Sequence, residues 1–565
     1  MASVSPGAVI GACAAAATIA CGAAVIGDLS QPDGMIRTTI AATAGPNTTD
    51  AVRLAKQATF GPTMATVDAI VASGPEAWLN TQFDAPVAST YKDLLGLAVP
   101  RNFCNGRTGT DANDCNRAFF TATYPAMRFY ANAIQAPDQL RQRVALALGE
   151  TIVASETAIH TGAGVAAFNQ IFLDNAFGNY RTILRSVTLN PFMGGYLNMA
   201  DSNRTAPNEN YARELMQLFS LGVNQMNMDG TPKRDNTGAP IATYTSADVK
   251  EVARALTGWT YARIAPAAAT DGNALDYTRP MVTIAARYDT GAKTFLGKTV
   301  PANASQDASV DAVIDAVFTH ANTPPFVAKA LIKQLVTTNP SPAYVERVAR
   351  IFADNGQGVR GDMRAIVRAV LMDGEARGAL KDGNFGKVKE PILLLTSLGR
   401  LIPQKTDGYV YTQRDTQLGQ SIFHSPSVFN YYPPDYPLPL GNGLESGPSK
   451  LMTTATVMAR HNIVYDWTIN GDQASRAEYN APAIVQATGT QVDWTSWEAI
   501  GNDPDAVLDR IDTLMLGGAM TAAQRTSIKA AMAAITNANA SIQARRRAQT
   551  ALYIAATSPL FQVDR

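Results

Sequence analysis

The sequence predicts a mainly α-helical protein, with one large multi-helix domain carrying a small β-hairpin insertion. Three observations lead there. Apolar residues recur at helical spacing along nearly the whole chain. The helical stretches tend to open on Pro, Ser, Thr or Asp and to close on Gly. β-branched and aromatic residues gather around a turn signal in one region only, 281–301.

Taken in order, PDQLRQRVALALGETIVAS (137–155) places Leu140, Val144, Ala147, Leu148 and Ile152 on one continuous helix face. Thr245 and Asp248 make a capping-box-like pair for SADVKEVARALTG (246–258). Its stripe is Val249, Val252, Ala253 and Leu256, and Gly258 is its stop. SPAYVERVARIFADNG (341–356) has Pro342 in its first turn and Gly356 past its end, and 361–377 repeats the form. The chain closes in Ala-rich helix. MVTIAARYDTGAKTFLGKTVP (281–301) reads as a hairpin turning at Asp289-Thr290-Gly291, whereas the prolines of 424–449 forbid a regular element there. The resulting organisation is an export or lipoprotein-type signal over 1–27 and a flexible linker over 28–49. The main domain follows over 50–470, with a helical C-terminal segment over 471–565 packing on it.

GAVIGACAAAATIACGAAVIG (7–27) is uncharged, Ala/Gly-rich and weakly apolar for a membrane span, so it reads as the apolar core of an export signal. TIACG (18–22) resembles a lipoprotein processing box, with Cys21 as the acylated residue and the sole membrane anchor. Thr18 departs from that pattern, and no Lys or Arg precedes Arg37. Cleavage near Ala24 is the plainer alternative. Of the four cysteines, Cys13 and Cys21 fall in this segment. Cys104 and Cys115 remain, and an exported chain closes them as a disulfide around a Gly/Asn/Asp loop. The predicted location is periplasmic, secreted or cell-surface.

Lys+Arg and Asp+Glu are both 47, so there is no basic surplus to neutralise phosphates and no nucleic-acid partner is expected. Arg545-Arg546-Arg547 reads as a solvated helix face. GAKTFLGKT (291–299) imitates a P-loop, but its first glycine is misplaced by one residue and Pro301 follows where a helix should begin. Glu156 and His160 stand at i,i+4, yet no second pair completes a metal site. Neither a metal nor a cofactor is expected.

PNENYARELMQLFSLG (207–222) is the densest polar stretch in a helical setting. Tyr211, Leu215, Leu218 and Phe219 cluster on one side, Glu209 and Arg213 lie opposite, and Asn208 reads as the N-cap. Two readings stand. Glu209–Arg213 is a surface ion pair, or Arg213 and Glu214 are buried and meet Asp248 and Arg254 in a polar network. The candidate catalytic residues are accordingly Glu209, Arg213, Glu214, Asp248 and Arg254, as acids and bases in a cleft. FNYYPPDYP supplies a candidate binding surface through Phe429, Asn430, Tyr431, Tyr432 and Tyr436.

Several segments, in order, resemble one bacterial family: LAKQATFGPT (54–63), LRQRVALALGE (140–150), PNENYARELMQLFSLG, TYTSADVKEVARALTGWTY, VKEPIL, SPSVFNYYPPDY and the closing TSPLFQVDR. It is the exported family catalogued as domain of unknown function 1800. The resemblance spans about residues 50 to 565. It implies a mainly helical exported protein, often encoded beside a sulfatase-related exported protein that is a candidate partner, and it carries over no catalytic residue. Tyr288 stands where the family commonly has His before Asp289, and Leu560 where it has Glu. The expectation is an exported binding or accessory protein acting on a partner protein or an extracellular polymer. The alternative is an exported hydrolase using the Glu/Asp/Arg cleft.

Overall fold

Helix Gln139–Thr151 shows what the helical pattern builds. Leu140, Val144, Ala147 and Leu148 are fully buried, and so is Ile152 at its C-cap. Gln142, Arg143, Ala145 and Leu146 on the other sides are buried too, so this helix runs through the interior with neighbours all round. The computed structural model describes residues 46–378, 381, 383–438, 441–469 and 487–565. The signal over 1–27, Cys21, nearly all of the 28–49 linker and the boundary at 471 lie outside the described residues.

The protein is mainly α-helical, and its strands form five two-stranded antiparallel sheets among the described residues. No helix among those residues is long and apolar enough to cross a membrane. Helix Ser246–Ala255 starts on the expected capping box, Thr245 accepting from the Asp248 amide and Asp248 from that of Thr245. Its end is marked by Gly258, whose φ of 84° suits glycine. Helix Pro342–Ala353 is capped by Ser341, and Met363–Met372 by Asp362. These two pack together beside helix Thr323–Leu335.

Two elements differ from the sequence reading. The hairpin pairs Lys293–Phe295 with Lys298–Val300 and turns at Leu296-Gly297, not at Asp289-Thr290-Gly291. Both turn residues have positive φ, 47° and 73°, as a tight two-residue hairpin demands. The Asp289 carboxylate instead accepts the Gly291 amide and holds Arg254, which fixes that stretch outside the ladder. Strand Val282–Thr283 pairs back to Trp259–Thr260.

The second difference lies between the cysteines. Residues Gly109–Phe119 form a helix where the reading had a loop, braced by Arg107–Asp111 and Arg117–Asp114 pairs. Cys104 and Cys115 are joined, their Cα atoms 5.8 Å apart.

The end of the chain is stitched into the body. Val563–Asp564 pairs with Lys387–Val388, and Thr490–Val492 with Gln404–Thr406. Trp497 donates to the Leu401 carbonyl at 2.9 Å. Lys56, from the first described helix Pro46–Ala58, lies 3.9 Å from Asp564. Leu560, at the position of the family's acid, packs against the core as an apolar residue.

Closing an eleven-residue separation by a disulfide should stabilise the fold by about 2–3 kcal/mol. The Cys104→Ala/Cys115→Ala double variant should lose that amount in denaturant unfolding, and reductant should shift the wild type alone. A wild type indifferent to reductant would remove the claim.

Candidate functional site

The five candidate catalytic residues do not converge. Helix Asn210–Gln217 begins after Glu209, one residue later than an Asn208 cap would place it, although Asn208 Oδ1 still accepts the Asn210 amide at 2.9 Å. Glu209 and Arg213 pair at 3.1 Å on the surface. Tyr211, Leu215 and Phe219 are buried as expected. Glu214 is turned inwards and 8% exposed, and burial raises its pKa against the weaker opposing pull of Arg213. Asp248 closes its capping box and accepts the Leu296 amide at 2.8 Å. Arg254 bridges Glu251 at 2.7 Å and Asp289 at 2.9 Å. The expected network of Arg213, Glu214, Asp248 and Arg254 is therefore replaced by separate local contacts: Arg213 pairs with Glu209, Asp248 accepts the Thr245 and Leu296 amides and Arg254 pairs with Glu251 and Asp289, while Glu214 Oε2 is buried with no hydrogen-bond partner among the described residues. Lys293 of the P-loop imitation is buried under Tyr288, donating to the Asp289 and Gly291 carbonyls.

The polar centre of the molecule lies elsewhere. Glu390, the residue before helix Pro391–Leu401, is 0% exposed. Its Oε2 accepts from the Tyr432 hydroxyl at 2.5 Å and from Gln420 Nε2 at 2.9 Å. Lys387 lies 3.8 Å from its Oε1. Gln420 Nε2 also reaches Glu150 Oε1 at 3.1 Å, and the Gln420 side-chain oxygen accepts the Ile392 amide. Burial pushes both glutamates up, but Lys387 and Arg143 overcome it at Glu390, whose pKa ends below the ordinary range. At Glu150 burial, and then the neighbouring Glu390 charge, leave the pKa well raised. Of the two carboxylates, Glu390 is thus the one whose surroundings favour the charge, while Glu150 Oε2 and Glu390 Oε1 are buried with no hydrogen-bond partner among the described residues.

A cavity of about 40 Å³ adjoins this pair, lined among others by Glu150, Phe129, Phe423, Ser425, Asn430 and Tyr431. It has room for two or three waters. The wall at 421–432 holds Phe423 and Asn430 at φ of 68° and 62°, a conformation that L-residues seldom adopt. Asn430 Nδ2 donates to the Glu150 carbonyl at 3.2 Å, and its Oδ1 accepts from the Ser425 hydroxyl. Asp415, beneath, accepts from Tyr130 at 2.9 Å and from the Ile422 amide at 3.0 Å, yet burial pushes its pKa up to about 6.

The aromatic loop is thus largely interior. Tyr431 and Tyr432 are 8% and 6% exposed and Asn430 is buried, because their polar atoms are engaged by His424, Glu390 and Glu150. Phe429, 52% exposed, and the half-buried Tyr436 are what remains at the surface.

Glu156 and His160 leave the helix, which stops at Thr151, and sit in the next loop, pinned by the Glu156 amide to the Phe423 carbonyl. His160 Nδ1 is 3.2 Å from one Glu156 oxygen and His424 Nε2 is 3.1 Å from the other. His424 Nδ1 faces the Ile422 carbonyl at 2.9 Å. Burial lowers the His424 pKa, and Glu156 with that carbonyl more than offsets it, so the net shift is upward. No group of three or more metal-type ligands occurs among the described residues.

Beside this loop an open cleft of about 330 Å³ is lined by Arg101, Asn116, Phe120, Ile159, His160 and Tyr277 among others. Arg101 donates to the Tyr277 hydroxyl at 2.7 Å, and Tyr261 meets the Tyr277 ring edge-on. The disulfide fixes the helix that brings Asn116 to its rim.

Residues 53–563 match the model of a family described as Protein of unknown function (DUF1800). No curated protein and no solved structure matches the chain.

Two substitutions separate surface from interior. Arg213→Ala should cost no more than about 0.5 kcal/mol, whereas Glu390→Ala, which leaves Lys387 and Arg143 facing no buried charge, should cost about 3–5 kcal/mol. Equal midpoints in denaturant unfolding would contradict this. Asp415 binds its proton more tightly when folded, so its contribution is full below about pH 4 and is lost as pH rises through about 6. Between those limits stability should fall by roughly 3 kcal/mol on its account. Asp415→Asn should flatten that part of the stability–pH profile, and an unchanged slope would count against the assignment.

Proposed function

Since the chain belongs to the DUF1800 family, whose function is unknown, we propose that it is an exported binding protein that holds an extracellular polymer in the Arg101–Tyr277 cleft. The observation that carries this is the cleft's make-up. An open groove of about 330 Å³ offers charged and amide donors from Arg101, Asn116 and His160 over the rings of Phe120 and Tyr277. Aromatic faces with a few directional donors suit a sugar chain. The Cys104–Cys115 bond under the rim and the uncharged 7–27 segment support an oxidising compartment outside the cytoplasm. Phe429 and Tyr436 remain a smaller candidate contact for a co-encoded sulfatase-related partner.

A hydrolytic reading is second. It is favoured by the opposed electrostatic settings of Glu150, which lines the small cavity, and Glu390, bridged to it by Gln420, the kind of arrangement that sets up an acid and a base. That cavity has room for water but not for a polymer unit, so the loop 421–432 would have to move.

Affinity electrophoresis through gels carrying alginate, hyaluronate or dextran tests the first reading. Wild type should be retarded by one of them, and Arg101→Ala and Phe120→Ala should each weaken binding roughly tenfold, the worth of one charge-assisted contact or one ring. No retardation, or retardation untouched by both substitutions, sinks it. Export is checked by mass spectrometry of the native N-terminus, which should begin at an acylated Cys21 or near Ala24. A chain retaining Met1 would refute it.

A further inference from the structure

Behind the glutamate pair, on the far side of Arg143, lies a second and smaller cavity. Helix Pro46–Ala58 contributes Arg53 and Lys56, helix Gln139–Thr151 contributes Arg143, and strand Lys387–Val388 contributes Lys387. The end of the chain adds Asp564 and Arg565. Its free space is about 10 Å³, one water-sized sphere.

Apart from the exposed Arg565, the cations around it are largely enclosed. Arg143 is 1% exposed. Its Nη2 donates to the Gln334 carbonyl at 2.8 Å, while Nε and Nη1 are buried with no hydrogen-bond partner among the described residues. Lys387 donates to the same Gln334 carbonyl at 2.6 Å, its nearest carboxylate being Glu390 at 3.8 Å. Lys56 donates to the Met515 carbonyl at 3.2 Å and stands 3.9 Å from Asp564, a carboxylate that Lys389 holds much closer, at 2.6 Å. Asp512 also faces Lys56 from the segment following helix Pro504–Ile511. Burial, and then the neighbouring Lys389, bring the Lys56 pKa down to about 8. Enclosed cations whose nearest carboxylates are shared or distant cost far more than enclosed ion pairs.

We propose that this cavity is a halide-binding site, in which a chloride ion sits against the free Nε–H and Nη1–H of Arg143 and between the ammonium groups of Lys56 and Lys387. A water in the same place would satisfy hydrogen bonds but none of the charge. A space of this size excludes tetrahedral oxyanions such as phosphate and sulfate, whereas a chloride ion, only slightly larger than water, enters with a small outward shift of the flexible Lys56 side chain. Bound there, the ion ties the first helix, the buried helix and the closing strand into one electrostatic unit, a structural role independent of what the Arg101–Tyr277 cleft binds.

Two measurements on the full chain decide it. Crystals soaked in sodium bromide should show an anomalous peak beside Arg143. Thermal unfolding at constant ionic strength should rise saturably as chloride replaces gluconate, by roughly 2–3 °C at hundredfold excess over Kd for a chain of this size. Arg143→Gln and, separately, Lys56→Met should each abolish the chloride response, and if one variant fails to fold the other decides. An absent bromide peak, equal stability in chloride and gluconate, or a response surviving in a folded variant overturns the site. A peak without any stability response marks an adventitious ion only and overturns it as well.

Discussion

An ionised carboxylate in a helical interior costs several kcal/mol unless its oxygens are met; at Glu390, Oε2 is met by two hydrogen bonds and Oε1 only by the Lys387 charge at 3.8 Å, the partners coming from three separated segments. Tyr432 comes from the proline-rich loop, Gln420 from the turn after helix Tyr409–Gln417, and Lys387 from the strand that pairs with the chain's end. Two of those partners are fixed in turn by a backbone contact. Gln420 accepts the Ile392 amide, Lys387 donates to Gln334, and the neighbouring Lys389 donates to the Phe561 carbonyl. Misplacing any one of these segments would leave a buried charge without its hydrogen bonds, so the site sets their relative register as apolar packing alone would not.

The same condition sets the two glutamates apart. With burial acting on both, Lys387 and Arg143 favour the charge at Glu390, and that charge opposes one at Glu150. The aromatic loop then follows as a lid on this pair, with Tyr432 as donor and Asn430 clamped to the Glu150 carbonyl. Its buried tyrosines serve the interior first.

The helical architecture was legible in the sequence because it rests on local signals: the 137–155 stripe, the Thr245/Asp248 box and the Pro342 start all hold. The hairpin was legible as an element but not in its turn, since Asp289-Thr290-Gly291 has turn chemistry while Leu296-Gly297 has the backbone. The polar centre was not found, for a physical reason. Density of charge along the chain drew attention to 207–222, whereas burial is a tertiary property, and Glu150 and Glu390 are lone acids in otherwise apolar runs. The available signal was that incongruity: a Glu ending VALALGE, and a Glu directly before the proline of a long apolar helix. Both lie in segments that carry the family resemblance.

The strand Val563–Asp564 completes a sheet with Lys387–Val388, and its aspartate faces Lys56 from the opposite end of the chain. Lys56 precedes Asp564 by some five hundred residues and Lys389 by about 175, so both lysines are synthesised well before the carboxylate that they share. Burial of those two ammonium groups is therefore coupled to the placement of the strand Val563–Asp564, which joins the first described helix to the last segment of the structure.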